Sequence, residues 1–208
     1  MAKKTLSIVL YAHQEYMHHV EEEEFSQWHK SLFSLMTDMY LPLLQSFERM
    51  ERDNVSFHIS MVVTPLLCSM LDNPVFKERY IAWLDRLINF GKSEVRRYKG
   101  QASLKKNAEL YVLKLQNIKE YYTDVLACDV LSKIFYFAEN EYIELLGTTA
   151  TPLFLPHFID LDDAINAQIE AGLISHKNYF GIRPDGFWLP YMGYVPGLEK
   201  NIRMYGYN

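Results

Sequence analysis

The sequence predicts an α/β fold built on a parallel sheet, and three observations carry that prediction. Four short apolar runs read as strands: 5–12 (TLSIVLYA), 55–63 (VSFHISMVV), 141–146 (EYIELL) and 186–189 (GFWL). Helical-period segments separate consecutive runs, so the strands need crossovers and pair in parallel. No internal repeat and no linker divides the 208 residues, so 1–208 is read as a single domain.

Taken in order, the first run leaves its strand through His13-Gln14-Glu15-Tyr16. The acidic run 21–24 then opens a helix, where carboxylates favour the dipole. That helix carries Trp28, Leu32, Leu35, Met39, Leu43, Leu44 and Phe47 at helical spacing, and Pro42 kinks or restarts it. Thr64-Pro65 ends the second strand. A helix over 74–97 starts at Pro74, which suits a first turn, and carries Phe76, Tyr80, Trp83, Leu84, Leu87 and Ile88 on one face. Gly100 closes it, and two further helices follow from Leu104 to Tyr122 and from Val125 to Ala138. After the third strand comes Gly147-Thr148-Thr149-Ala150-Thr151-Pro152. Next is a helix capped by Asp160 or Asp162 and carrying Ala164, Ile165, Ile169 and Leu173. A last helix starts near Pro196.

Composition narrows the function. A net charge of −5 with no clustered Lys/Arg surface argues against nucleic-acid binding, because phosphate neutralisation needs such clusters. Arg96, Arg97 and Lys99 sit at a helix end, where cations complement the dipole. No run of about 20 apolar residues is present to cross a membrane, and the chain reads as cytoplasmic. Its two cysteines, Cys68 and Cys128, form no CxxC pair, lie in apolar surroundings and read as buried inert thiols. No metal site is expected: His18 and His19 beside Glu21 lack zinc-ligand spacing and read as surface residues. Nor is there a phosphate-cradling glycine loop, HExxH, GxSxG or Cys-His signature. No cofactor is expected.

Ligands bind at the carboxyl ends of parallel strands, in open sheets and barrels alike. Both architectures fit the element order. The residues converging there are His13, Gln14, Glu15 and Tyr16 from the first strand and Thr64 and Pro65 from the second. The third contributes Thr148–Thr151, and the fourth contributes Tyr191, Met192, Gly193 and Tyr194. This set is hydroxyl-rich, aromatic and neutral to mildly acidic, and it suits a polyhydroxylated neutral ligand. His13 reads as a hydrogen-bonding group for that ligand, as a metal ligand, or as a polar strand end.

Several segments, in order, resemble glycoside hydrolase family 57, specifically its 1,4-α-glucan branching enzymes. They are SIVLYAHQEYMHHVEEEEF, YLPLLQSFERMERDNVSFHISMVVTPLLCSML, NPVFKERYIAWLDRLI, YIELLGTTATPLFLPHF, AINAQIEAGLISHKNYFGIRPDGFWLP and YVPGLEKNI. The resemblance implies the N-terminal part of a catalytic (β/α)7 barrel with helical insertions. The sheet would be incomplete and barrel-like, with the C-terminal strands missing. It implies an α-glucan substrate or ligand, and cleavage of an α-1,4 bond with transfer to a 6-hydroxyl. Such retaining chemistry needs two carboxyl groups roughly 5–5.5 Å apart.

Carried over by residue, the resemblance matches His13, Gln14 and Tyr16 to the family's first motif, with Glu15 in place of its proline. Trp28 matches an aromatic position, and Pro152 stands where the family has a histidine. The nucleophile, a glutamate directly after Trp-Leu-Pro, is here Tyr191. The family's acid/base aspartate belongs to a later strand than the chain reaches. A phenol with a pKa near 10 does not do a carboxylate's work at neutral pH; Glu15 standing in, or a tyrosine nucleophile of the sialidase kind, are the ways around this. The expected substrate-binding set is His13, Gln14, Glu15, Tyr16, Trp28, Thr151, Trp188 and Tyr194. The implied function is an α-glucan-active enzyme, inactive in this chain. The alternatives are a non-catalytic glucan-binding or regulatory pseudoenzyme, or half of a split barrel completed by a protein partner.

Overall fold

In the computed structural model, residues 6–16 and 27–208 are described, without the side chains of 27–29. The elements run β1 (Val9–Ala12), α1 (Gln27–Leu35), α2 (Leu41–Arg52), β2 (Ile59–Val63), α3 (Pro65–Asp72), α4 (Pro74–Arg97), α5 (Ala102–Glu120), α6 (Val130–Glu139), β3 (Ile143–Leu146), α7 (Asp162–Phe180) and α8 (Leu198–Met204). The three strands form one open parallel sheet in the order β1-β2-β3. The fourth expected strand shrinks to a single parallel bridge between Gly147 and Phe187. The Gly147 N–H donates to Gly186 O at 2.9 Å, and the Trp188 N–H donates to Gly147 O at 2.8 Å. Pro190 has no N–H to extend the ladder, so pairing stops there.

The chain divides into two compact units. One comprises Met1–Tyr16, Ser56–Met70 and Ile134–Asn208; the other comprises Met17–Val55 and Leu71–Lys133. The sheet belongs to the first. Because the strands are parallel and in register, paired residues share a face. One face carries Leu10, Ala12, Ile59, Met61, Val63, Ile143 and Leu145, which is nearly all aliphatic, and most of it is buried. Phe187 and Leu189 continue this face and pack against a core of Leu155, Ile165, Ile169, Leu173, Leu198 and Tyr207. Helix α7 contributes three of these residues from one stripe and ends on Gly181, at φ 69, whose N–H donates to Lys177 O. Its N-cap is Leu161, not Asp160 or Asp162. Asp162 lies in the first turn, where its carboxylate accepts from Asn201 Nδ2 at 3.0 Å.

The second unit is helical. Pro42 is the restart the sequence predicts: a π segment, Met36–Tyr40, separates α1 from α2, and the Leu41 N–H donates to Met36 O. Without an N–H, Pro42 cannot bond the carbonyl four residues back, and the wider turn absorbs the mismatch. Thr37 Oγ1 donates to Phe33 O and pairs with the Tyr80 hydroxyl, both at 2.8 Å. Tyr80 also meets the Tyr122 ring edge-on at 4.9 Å. Cys68, in the first unit, is buried as expected. Cys128, in the second, is only half-buried, which corrects its reading as a buried thiol; burial still pushes the Cys128 thiol pKa up.

Candidate functional site

The other face of the sheet is the functional candidate, and its residues follow from register alone. Along it lie Val9, Tyr11 and His13 from β1 and beyond, and Ser60, Val62 and Thr64 from β2 and its end. Glu144, Leu146 and Thr148 come from β3, and Gly186 and Trp188 from the bridged segment. At the carboxyl end this places His13, Thr64, Thr148 and Trp188 side by side in one row. His13 Nδ1 lies 3.2 Å from Thr64 Oγ1, and Thr148 Oγ1 donates to Trp188 O at 3.0 Å. Thr64 and Thr148 are almost wholly buried, so their hydroxyls need these partners.

Tyr11 sits one step below the row. Its ring centroid is 5.7 Å from His13 and 6.2 Å from Trp188. Four neighbouring chains in a flat sheet would separate their first and last backbones by about 14 Å. The two rings therefore lean toward each other across this face, forming a half-exposed aromatic surface. Burial, and secondarily the nearby Tyr191, raise the Tyr11 pKa. Burial lowers the His13 pKa against an opposing pull from Glu15, so His13 is neutral at pH 7 and offers one donor and one acceptor.

Tyr191 follows Pro190 at the open end of the same face. It is 68% exposed and left-handed at φ 56, and Met192 at φ 53 repeats that conformation. Gly193 then passes so close to Phe154 that a Cβ there would lie 2.5 Å from the ring. The ring of Tyr191 is thus largely exposed, not packed in the core, and close enough to Tyr11 to raise its pKa.

The other expected site residues are dispersed. Gln14 is half-buried, and Glu15 and Tyr16 are exposed beyond the row. Thr151 turns toward α7, its N–H and hydroxyl both donating to Gln168 Oε1 at 3.0 and 3.1 Å. Tyr194 donates to Glu199 Oε2 at 3.1 Å, and that carboxylate also accepts from the Gly197 N–H at the start of α8. The side chain of Trp28, like His18, His19 and the 21–24 run, lies outside the described residues. Among the described residues no three His, Cys, Asp or Glu side chains gather to hold a metal, and no helix is long and apolar enough to cross a membrane.

Sequence reading missed Tyr11 and the Ser60–Glu144 pair, joined by a 2.6 Å hydrogen bond on this same face. The signal is present: Val9, Tyr11 and His13 alternate with Leu10 and Ala12, although the apolar residues on both sides make the run read as one buried strand.

Comparison with known proteins places the chain. The model of glycosyl hydrolase family 57 matches residues 7–208. A 1,4-alpha-glucan branching enzyme of Thermococcus kodakarensis is 28% identical over 96% of this chain and 29% of its own length. Its crystal structure, in complex with glucose and additives, superposes with a TM-score of 0.84 at 24% identity, over 97% of this chain and 38% of that one. The α-amylase AmyC of Thermotoga maritima gives a TM-score of 0.91 at 28% identity, covering 97% and 38%. The branching enzyme of Pyrococcus horikoshii gives 0.86 at 23%, covering 97% and 40%. This chain thus spans well under half the length of each, and its open three-stranded sheet matches part of a (β/α)7 barrel.

Proposed function

Because the chain belongs to glycosyl hydrolase family 57, we propose that the polar face of its sheet binds an α-1,4-linked glucan and holds it without cleaving it. The observation that carries this reading is the convergence of Tyr11, His13, Thr64, Thr148 and Trp188 on one face, with Tyr191 at its mouth. Aromatic rings supply a flat apolar surface for the C–H face of a sugar, a neutral imidazole matches its hydroxyls, and the buried threonines orient His13 and the Trp188 backbone. The family's nucleophile would occupy position 191, which here carries a phenol and no carboxylate. Glu15, whose charge opposes the lowering of the His13 pKa, is exposed.

The test is titration of the protein with maltoheptaose, followed by tryptophan fluorescence, beside an assay for newly released reducing ends and for branches. Saturable binding without product is expected. Trp188→Ala should weaken binding about tenfold, or about 1.4 kcal/mol. No saturable signal would overturn the binding half of the proposal, and product formation would overturn the other half.

A second reading has its own observation. Leu6 is 83% and Ile8 48% exposed beside β1, an edge strand of the open sheet. Exposed apolar edges are ordinarily covered, so a further polypeptide segment seated there is the alternative. Co-purification of a stoichiometric protein, with loss of binding on its removal, would favour it.

A further inference from the structure

Immediately behind the strand-end row lies a cavity of about 10 Å³, lined by Val63, Pro65, Cys68, Thr148, Ser175 and His176. His176 reaches it for a reason visible in the helix. Ile165, Ile169, Leu173, His176 and Phe180 recur at helical spacing along the buried stripe of α7, so the imidazole is carried into the interior with its apolar neighbours. Its ring packs 5.0 Å from Phe180. Burial holds it neutral at pH 7, leaving one ring nitrogen as donor and the other as acceptor. Its Nε2 is buried and has no hydrogen-bond partner among the described residues. A buried polar atom left unpaired costs about 1–3 kcal/mol.

The cavity's size and lining decide what pairs with that atom. A volume of this order admits one water and nothing larger, and an internal water needs two to four polar partners. Ser175 lines the cavity with a hydroxyl, and the Thr148 backbone carbonyl faces α7 at Gly172 on the same wall. Thr148 links this wall to the strand-end row, where its Oγ1 donates to Trp188 O. A metal fits less well: Cys68 and His176 are the only soft ligands on this wall, fewer than the three or four a bound zinc takes.

We propose that the cavity holds a single ordered water, that His176 Nε2 is one of its partners, and that through Thr148 this water fixes Trp188 in the strand-end face. His176 is then a positioning residue, acting two contacts behind the ligand surface. The effect on glucan affinity rests on the proposed function; the water itself does not.

A high-resolution crystal structure of the unaltered protein tests the core of the inference. Density for one water within hydrogen-bonding distance of Nε2 and of a Thr148 or Ser175 oxygen is expected. An empty cavity, or a peak with an anomalous metal signal, overturns it. Maltoheptaose titration tests the coupling. His176→Leu should weaken binding about three- to tenfold, and His176→Gln, which keeps a polar group for the water, should restore most of it. Equal affinity in all three proteins overturns the positioning role. If the unaltered protein shows the water but binds no glucan, the proposed function falls and the water site stands.

Discussion

Acidification should destabilise this protein in large part through one side chain, His176. In the folded chain burial lowers its pKa from 6.5 to about 4. Between those values the unfolded chain carries the proton and the folded chain does not, so the unfolded state binds more protons and stability falls as pH falls. The loss begins as the pH drops below 6.5 and is complete once the folded form also protonates, near 4. At 1.36 kcal/mol for each unit of difference, the full effect is about 3 kcal/mol, of which about 2 kcal/mol is lost between pH 7 and pH 5. That is a large share of the roughly 5–15 kcal/mol by which domains are stable. The environment explains the size: no charged residue lines the cavity beside the ring, so nothing there compensates an imidazolium. Urea unfolding followed by far-UV circular dichroism, at several pH values, measures the slope. Against the unaltered protein, His176→Leu should lose about 2 kcal/mol of its pH dependence over this range, whatever its stability at pH 7. Parallel slopes for the two proteins would refute the assignment of a buried neutral imidazole.

Other perturbations follow from particular contacts. A methyl group at Gly172 would overlap the Thr148 carbonyl oxygen, where backbone on both sides cannot yield, so Gly172→Ala should cost about 1–3 kcal/mol in urea unfolding. Thr37→Val leaves the buried Tyr80 hydroxyl without its partner and should cost about 1–3 kcal/mol; a loss below measurement error would mean the hydroxyl finds another acceptor. Because Tyr191 raises the Tyr11 pKa, Tyr191→Phe should lower it and Tyr191→Glu should raise it further, read by 13C NMR of labelled tyrosine. A Tyr11 titration unmoved by both changes would place the ring at 191 away from the aromatic surface.

Much of the fold was legible in the sequence because period and punctuation agreed there. Helix α4 spans 74–97 as read, since Asn73 caps it with its side chain and Pro74 opens it. Helix α3 was not legible: Pro65–Asp72 is a short, nearly all-apolar segment, so it lacks the polar face that gives a helix its period. The fourth strand was over-read because Phe187, Trp188 and Leu189 are apolar, while only Phe187 finds a bridge before Pro190 intervenes. For the candidate site, the strand-end residues can be listed from the sequence, but which of them share a face depends on register. A parity count along β1 puts Tyr11 and His13 together, yet nothing local to the sequence aligns them with Thr64, Thr148 and Trp188. Tyr194 and Thr151 lie beside the site in sequence but turn to Glu199 and Gln168, choices set by α8 and α7. His176 is not legible as a site residue, because a lone histidine on an apolar helix face reads as core, which it also is.

The asymmetry of the sheet argues for a ligand on thermodynamic grounds. Strands of a parallel sheet are commonly buried on both faces and read as continuous aliphatic runs. Here one face obeys that rule, and the other carries Tyr11, His13, Ser60, Thr64, Glu144 and Thr148 at positions that register makes adjacent. An intramolecular hydrogen bond contributes about 0.5–1.5 kcal/mol net, whereas burying an aliphatic side chain contributes about 1.5–3 kcal/mol. Valine at 64 and 148 would thus stabilise this sheet at least as well as threonine does. Threonines buried there, tied to an imidazole and to the carbonyl of a tryptophan, are poor choices for packing and good ones for orienting a polar surface. The left-handed backbone at Tyr191 and Met192 points the same way. Two successive non-glycine residues at positive φ cost about 1–3 kcal/mol each, and such strain concentrates where a chain must present a side chain to a ligand. A polar face held at the expense of packing, with a strained aromatic loop beside it, is what the proposed glucan site requires.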